Sequence, residues 1–139
     1  MTISEEYQEI MTEYDAAVDN VQKNRKRFDG FFGLGHHPGN APCHEIMDEK
    51  VKNLCARAAE EADPAEKAAL TGAVLKTEKS WDGPEFARLM LCAIQRHTLE
   101  LIPLLEDGVR RELAEWYGAN YPRRERLPAQ EKVYRALNK

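Results

Sequence analysis

Three features of this 139-residue chain predict an all-α fold. Apolar residues recur with the 3.6-residue helical period in six segments, start signals built on proline stand ahead of several of them, and no stretch alternates apolar with polar residues for more than a few positions. At this length a single helical domain over residues 1–139 is expected, burying roughly two-thirds of the unfolded surface. Apolar residues make up 42% and charged residues 32%, the balance of a globular protein rather than a disordered one.

The first helix is expected from the capping-box spacing Thr2-Ile3-Ser4-Glu5, followed by Tyr7, Ile10, Met11, Tyr14, Ala17, Val18, Val21 and Phe28 on one side. Lys23, Arg25, Lys26 and Arg27 suit its C-terminal end, and Gly30 is expected to stop it. Residues 29–42 then hold four glycines and two prolines, which break helix and strand alike, so a long Gly/Pro/His-rich loop is expected, pinned to the core by Phe31, Phe32 and Leu34. Pro42 opens the second helix, running to about Ala62 with Met47, Val51, Leu54, Cys55 and Ala58 inward. In the third, Asp63-Pro64-Ala65-Glu66 supplies an N-cap, an N1 proline and an acidic N3 residue, and the helix is expected to reach roughly Lys76.

Trp81 falls in a turn, and Asp82-Gly83-Pro84-Glu85 opens a fourth helix in the same manner. Phe86, Leu89, Met90, Ala93, Ile94, His97 and Leu101 share one face of it, with His97 near the centre, and Pro103 ends or kinks it. A fifth helix follows Gly108, places Val109, Leu113, Trp116 and Tyr117 together and stops at Gly118; Leu127-Pro128 opens a short last helix with Val133, Tyr134 and Leu137 inward. About four longer and two shorter helices with short connections imply an antiparallel bundle.

The net charge of −4 divides unevenly, with −8 over Met1–Gly108 and +4 over Val109–Lys139. Cys43, Cys55 and Cys92 cannot all pair and form no CxxC, so reduced thiols and a cytoplasmic location are expected. No membrane association is expected, since no apolar run approaches the ~20 residues of a span.

The stretches Gly35-His36-His37-Pro38 through Pro42-Cys43-His44 and Tyr121-Pro122-Arg123-Arg124-Glu125-Arg126-Leu127-Pro128 resemble a small uncharacterised bacterial all-helical family. The resemblance covers most of the chain and implies a helical fold; it implies no activity, cofactor or partner.

Three of the four histidines and one of the three cysteines fall between residues 36 and 44. His36, His37, Cys43 and His44, with His97 arriving from the fourth helix, form a donor set suited to a transition metal such as zinc. Against this, neighbouring helical residues diverge by about 100°, so adjacent pairs do not present two ligands on one side. The plainer reading makes His44 and His97 core histidines bonded to backbone or carboxylate.

Cys43 in a helix first turn is also a candidate nucleophile, its pKa lowered by the helix dipole, with His37 or His97 as base and Glu45 or Asp48 orienting it. Arg110, Arg111, Arg123, Arg124, Arg126 and Arg135, with Trp116, Tyr117 and Tyr121, resemble a nucleic-acid patch, but the interleaved Glu112, Glu115, Glu125 and Glu131 and the acidic chain argue against it. The expected function is therefore binding of a small ligand, a metal or a protein partner at residues 31–44, through Phe31, His37, Cys43, His44 and His97. The alternatives are an enzyme using Cys43 or a histidine-bound metal, and a purely structural or interaction protein; a homo-oligomer is compatible with each.

Overall fold

The computed structural model describes the backbone of residues 1–32 and 41–139 and the side chains of residues 1–24 and 41–139. The described residues are all-α: α1 (Ile3–Phe32), α2 (Pro42–Glu61), α3 (Pro64–Ser80), α4 (Glu85–Ala93), α5 (Asp107–Asn120) and α6 (Pro128–Leu137), with no strand among them. Short 3-10 segments at Ile94–Glu100, Ile102–Leu104 and Arg123–Glu125 fill the connections around α5.

The start signals act as chemistry requires. Thr2 Oγ1 accepts from the Glu5 backbone N–H at 3.1 Å while the Glu5 carboxylate accepts from the Thr2 N–H at 3.3 Å, closing a capping box. Asp63 Oδ1 accepts from the Glu66 N–H at 2.8 Å and Pro64 occupies the first turn of α3. At α6 the Gln130 side chain accepts from the Leu127 N–H at 3.0 Å. The glycine stop signals do not act. α1 runs through Gly30 to Phe32, which puts Phe31 in a helical turn, and α5 runs through Gly118 to Asn120. A glycine costs only about 1 kcal/mol inside a helix, too little by itself to end one. Residues 33–40, which carry the expected loop and both His36 and His37, lie outside the described residues.

The fourth helix differs most from its expected form. It is α-helical only from Glu85 to Ala93, then tightens into a seven-residue 3-10 segment over Ile94–Glu100. The physical cause lies ahead of it: Pro103 has no N–H to give Leu99, and its ring crowds that carbonyl, so an α-helix cannot run through. Side chains take carbonyls there instead, with Thr98 Oγ1 donating to Gln95 O at 2.7 Å and Arg96 to Ala93 O at 2.7 Å. A 3-10 turn advances about 120° per residue rather than 100°, which moves the buried face. Ile94, Gln95 and Thr98 take the core positions, and His97 is carried to the side, toward α2.

Two apolar clusters make the core. The larger joins Tyr7, Met11, Tyr14 and Val18 of α1 to Met47, Val51, Leu54 and Cys55 of α2, Leu70 and Val74 of α3, and Leu91 of α4. The smaller joins Leu75 of α3 to Ile102 and Leu105, Leu113 and Tyr117 of α5, and Val133 and Leu137 of α6. Helix α3 serves both, being apolar on opposite sides, and so ties them together. The pairs Glu6 with Arg57, Glu13 with Lys50 and Tyr14 with His44 show α1 and α2 side by side in opposite senses.

Candidate functional site

The first turn of α2 delivers Cys43 and His44 to the protein interior, because Pro42 starts the helix and the inward stripe through Met47 and Val51 begins one turn earlier at His44. His44 is 3% exposed. Its Nδ1 pairs with Tyr14 Oη at 2.8 Å, and its ring meets Tyr14 at 5.8 Å and the edge of Phe86 at 6.0 Å between centroids. Tyr14 in turn lies 6.0 Å from Trp81. A histidine and three aromatic rings from α1, α2, α4 and the turn after α3 thus pack as one group.

Burial pushes the Tyr14 hydroxyl well above the usual phenol range, so it stays a neutral partner for the imidazole. Burial also pushes the Cys43 thiol up, outweighing the helix-terminal backbone N–H groups that pull it down. That direction is opposite to the lowered pKa expected of a nucleophile at this position. Cys55 and Cys92 rise by the same cause, to about 12 and about 11.

His97 does not join His44. Its side chain is 10% exposed and its Nε2–H donates to Asp48 Oδ1 at 2.9 Å, while Arg96 donates to Asp48 Oδ2 at 2.9 Å. Asp48 therefore clamps the 3-10 segment to α2 with one carboxylate. The expectation that His97 stands at the centre of a buried helical face is corrected: Gln95 and Thr98 stand there, through the change of pitch described above. Of the expected site residues, Cys43 and His44 are neighbours of Tyr14, His97 belongs to a separate pairing, the Phe31 side chain is not described, and His36 and His37 fall outside the described residues. Among the described residues no group of three or more His, Cys, Asp or Glu side chains is arranged to hold a metal ion.

Two further features carried no sequence signal of their own. Gln95, fully buried, accepts from Tyr117 Oη at 2.6 Å and Gln130 Nε2 at 3.3 Å on its carbonyl and donates to Tyr121 Oη at 3.1 Å; the Tyr121 hydroxyl donates in turn to Glu78 Oε2 at 2.9 Å. This network links α3, α5, α6 and the 3-10 segment, and leaves each of its buried groups satisfied. The other is a cleft of about 600 Å³ between α1 and the Trp81–Pro84 turn, beside the Tyr14–His44 pair. Met11 and Val18 form its floor, Trp81 a wall, and Asp15, Asp19 and Asp82 its rim. Gly83 is required in that turn by close approach, since a Cβ there would stand 2.5 Å from the Trp81 indole nitrogen.

Fold and site together define an all-α helical domain with a surface cleft next to a buried histidine–tyrosine pair. No family model matches this chain, and no curated protein or solved structure matches it. No helix among the described residues is long and apolar enough to cross a membrane.

Proposed function

We propose that the protein is a small-ligand-binding module, and that its site lies between α1 and the Ser80–Pro84 turn. The observation that carries this reading is the cleft walled by Trp81. Its volume falls within the few hundred to one thousand Å³ of ordinary ligand sites, and it combines an apolar floor with a small number of polar groups. The cleft between α1 and α2 is instead spanned by its own charges, Lys50 meeting Glu13 and Arg57 meeting Glu6. Of the residues 31–44 expected to bind, the described end, Cys43–His44, does not line this cleft; His44 lies behind it against Tyr14, whose ring meets Trp81.

The alternative of an enzyme built on the Cys43 thiol gains no support from a described group, because burial raises that thiol instead of lowering it. The three free cysteines favour a reducing, cytoplasmic setting. A fragment screen of the ¹⁵N-labelled full chain by NMR tests the binding role. Hits are expected to move the Trp81 indole N–H and the backbone N–H signals of Asp15 and Val18. A screen whose hits all map to the α5–α6 surface, or one with no hits, overturns the reading in favour of a structural or interaction role.

A further inference from the structure

We infer that the Asp82–Gly83 bond is a site of spontaneous covalent modification, closing to a succinimide and reopening to isoaspartate, and that the fold spares the Asp107–Gly108 bond from the same reaction. The reaction needs no ligand and stands apart from the binding role of the cleft. The sequence holds three Asp–Gly bonds, at 29–30, 82–83 and 107–108, and glycine, lacking a Cβ, leaves its own backbone nitrogen open to approach. The Gly83 nitrogen attacks Cγ of the Asp82 carboxyl in its acid form; a new N–Cγ bond closes the ring, and the carboxyl hydroxyl leaves with the amide proton as water. A second water then adds to one ring carbonyl. Addition at Cγ breaks the new bond and restores aspartate, whereas addition at the main-chain carbonyl breaks its bond to nitrogen and leaves a backbone that runs through the side-chain methylene. No oxidant, reductant or cofactor takes part, and the mass returns to its starting value.

Asp82 is exposed, and its carboxylate takes part in no ion pair among the described residues. The peptide it shares with Gly83 is equally unheld, since neither the Asp82 carbonyl nor the Gly83 N–H has a backbone partner among them. Ring closure requires this peptide plane to turn until its nitrogen faces Cγ. Turning about the line between the two Cα atoms breaks no backbone hydrogen bond and leaves Gly83 where it packs on the Trp81 indole, and glycine accepts the resulting φ of either sign. At residue 107 carboxylate and peptide are both held. Asp107 and Gly108 open α5, and Arg110 Nη2 donates to Asp107 Oδ1 at 2.7 Å. Turning that peptide takes the Asp107 carbonyl out of the helical ladder, so reaction there waits on opening of the first turn. Asp29–Gly30 likewise has its backbone within α1. An isoaspartate at 82 adds one main-chain atom between Trp81 and Pro84, the N-cap of α4, and so displaces Gly83 from the indole that walls the cleft.

The test is ageing of the full chain for several weeks at physiological temperature and pH, followed by peptide mapping with mass spectrometry. Isoaspartyl peptides keep their mass, change their retention and resist an endoproteinase specific for aspartate. Isoaspartate at 82 is expected to exceed that at 107 about tenfold or more, the margin being the cost of opening the first turn of α5. In guanidinium chloride the two bonds should react within about threefold of each other, because the fold that separates them is gone. Asp82→Glu, whose longer side chain would have to close a larger ring, should leave residue 82 unmodified over the same period. Asp82→Asn reaches the same ring by losing ammonia, and its conversion, read in the intact mass, should outrun that of Asp107→Asn by a similar margin of about tenfold. No isoaspartate at 82, equal amounts at 82 and 107 in the folded chain, or an excess at 82 that persists undiminished in guanidinium chloride would each overturn the proposal.

Discussion

The two halves of the core are held by different means. Around α1, α2 and α4 the contacts are apolar and aromatic, and the polar groups at their edge meet in small separate sets, Tyr14 with His44 in one and Asp48 with His97 and Arg96 in another. Between the 3-10 segment, α5 and α6, one glutamine organises three partners, with Glu78 joined through Tyr121, and none of the groups is fully ionic except Glu78 at the margin. Single pairs can be lost one at a time, whereas a network fails as a unit, since removing its centre strands every partner in a low-dielectric interior. The histidines that draw attention in the sequence thus sit in the part of the molecule that is more tolerant, and the ordinary glutamine in the part that is less so.

The thiols give the largest expected contrast. Burial raises both thiols; Cys92 is the less buried of the two and lies beside Gln130, and it rises to about 11 against about 12 for Cys55. At pH 8 Cys55 should therefore react with iodoacetamide roughly a thousandfold more slowly than a free cysteine and Cys92 roughly a hundredfold, in proportion to thiolate present; mass spectrometry of timed samples measures both. The same shifts set an alkaline limit. A thiol whose folded pKa lies above its unfolded value near 9 adds stability that is complete below that pH and is lost as pH rises toward 11 and 12, because the unfolded chain ionises first. Urea midpoints that stay constant from pH 8 to 11 would contradict the burial of both groups.

Next in size is Gln95→Leu. It leaves the Tyr117 hydroxyl, the Gln130 amide and one bond of Tyr121 without a partner in the interior, at a cost of about 3 kcal/mol in urea denaturation. By comparison, Tyr14→Phe removes one hydrogen bond to His44 while keeping the ring stack, and should cost about 1 kcal/mol. Equal losses from the two substitutions would erase the distinction between network and pair. The smallest effect has the opposite sign. Gly72 lies in mid-α3, where an added Cβ meets only Leu113 Cδ2 at 3.9 Å, so Gly72→Ala should stabilise the protein by about 0.5 kcal/mol; a loss would mean that α3 is packed more tightly against α5 than this distance allows.

The cleft follows the same division. Trp81, which walls it, and Tyr14, whose ring meets Trp81, belong to the tolerant cluster, so variants at Asp15 and Asp82 can be made without disturbing the network.

What the sequence determined by itself is what short-range physics decides. The helical period, the Thr2–Glu5 box, the Asp63 cap, Pro42 and Pro128 at helix starts and the inward stripes of α2 and α6 all depend on residues within a turn or two of one another, and all are found as expected. The tertiary structure alone decided where helices end and which polar residues meet. Gly118 is passed because packing by neighbours such as Tyr134 outweighs a cost of about 1 kcal/mol. A change from α to 3-10 pitch ahead of Pro103 rotates Gln95 and Thr98 into the core and His97 out to Asp48, across 49 residues of chain. No local pattern encodes such a partner. The cleft is decided in the same way, since Asp15 and Asp82 come together only because α1 and the turn after α3 are packed on a common core.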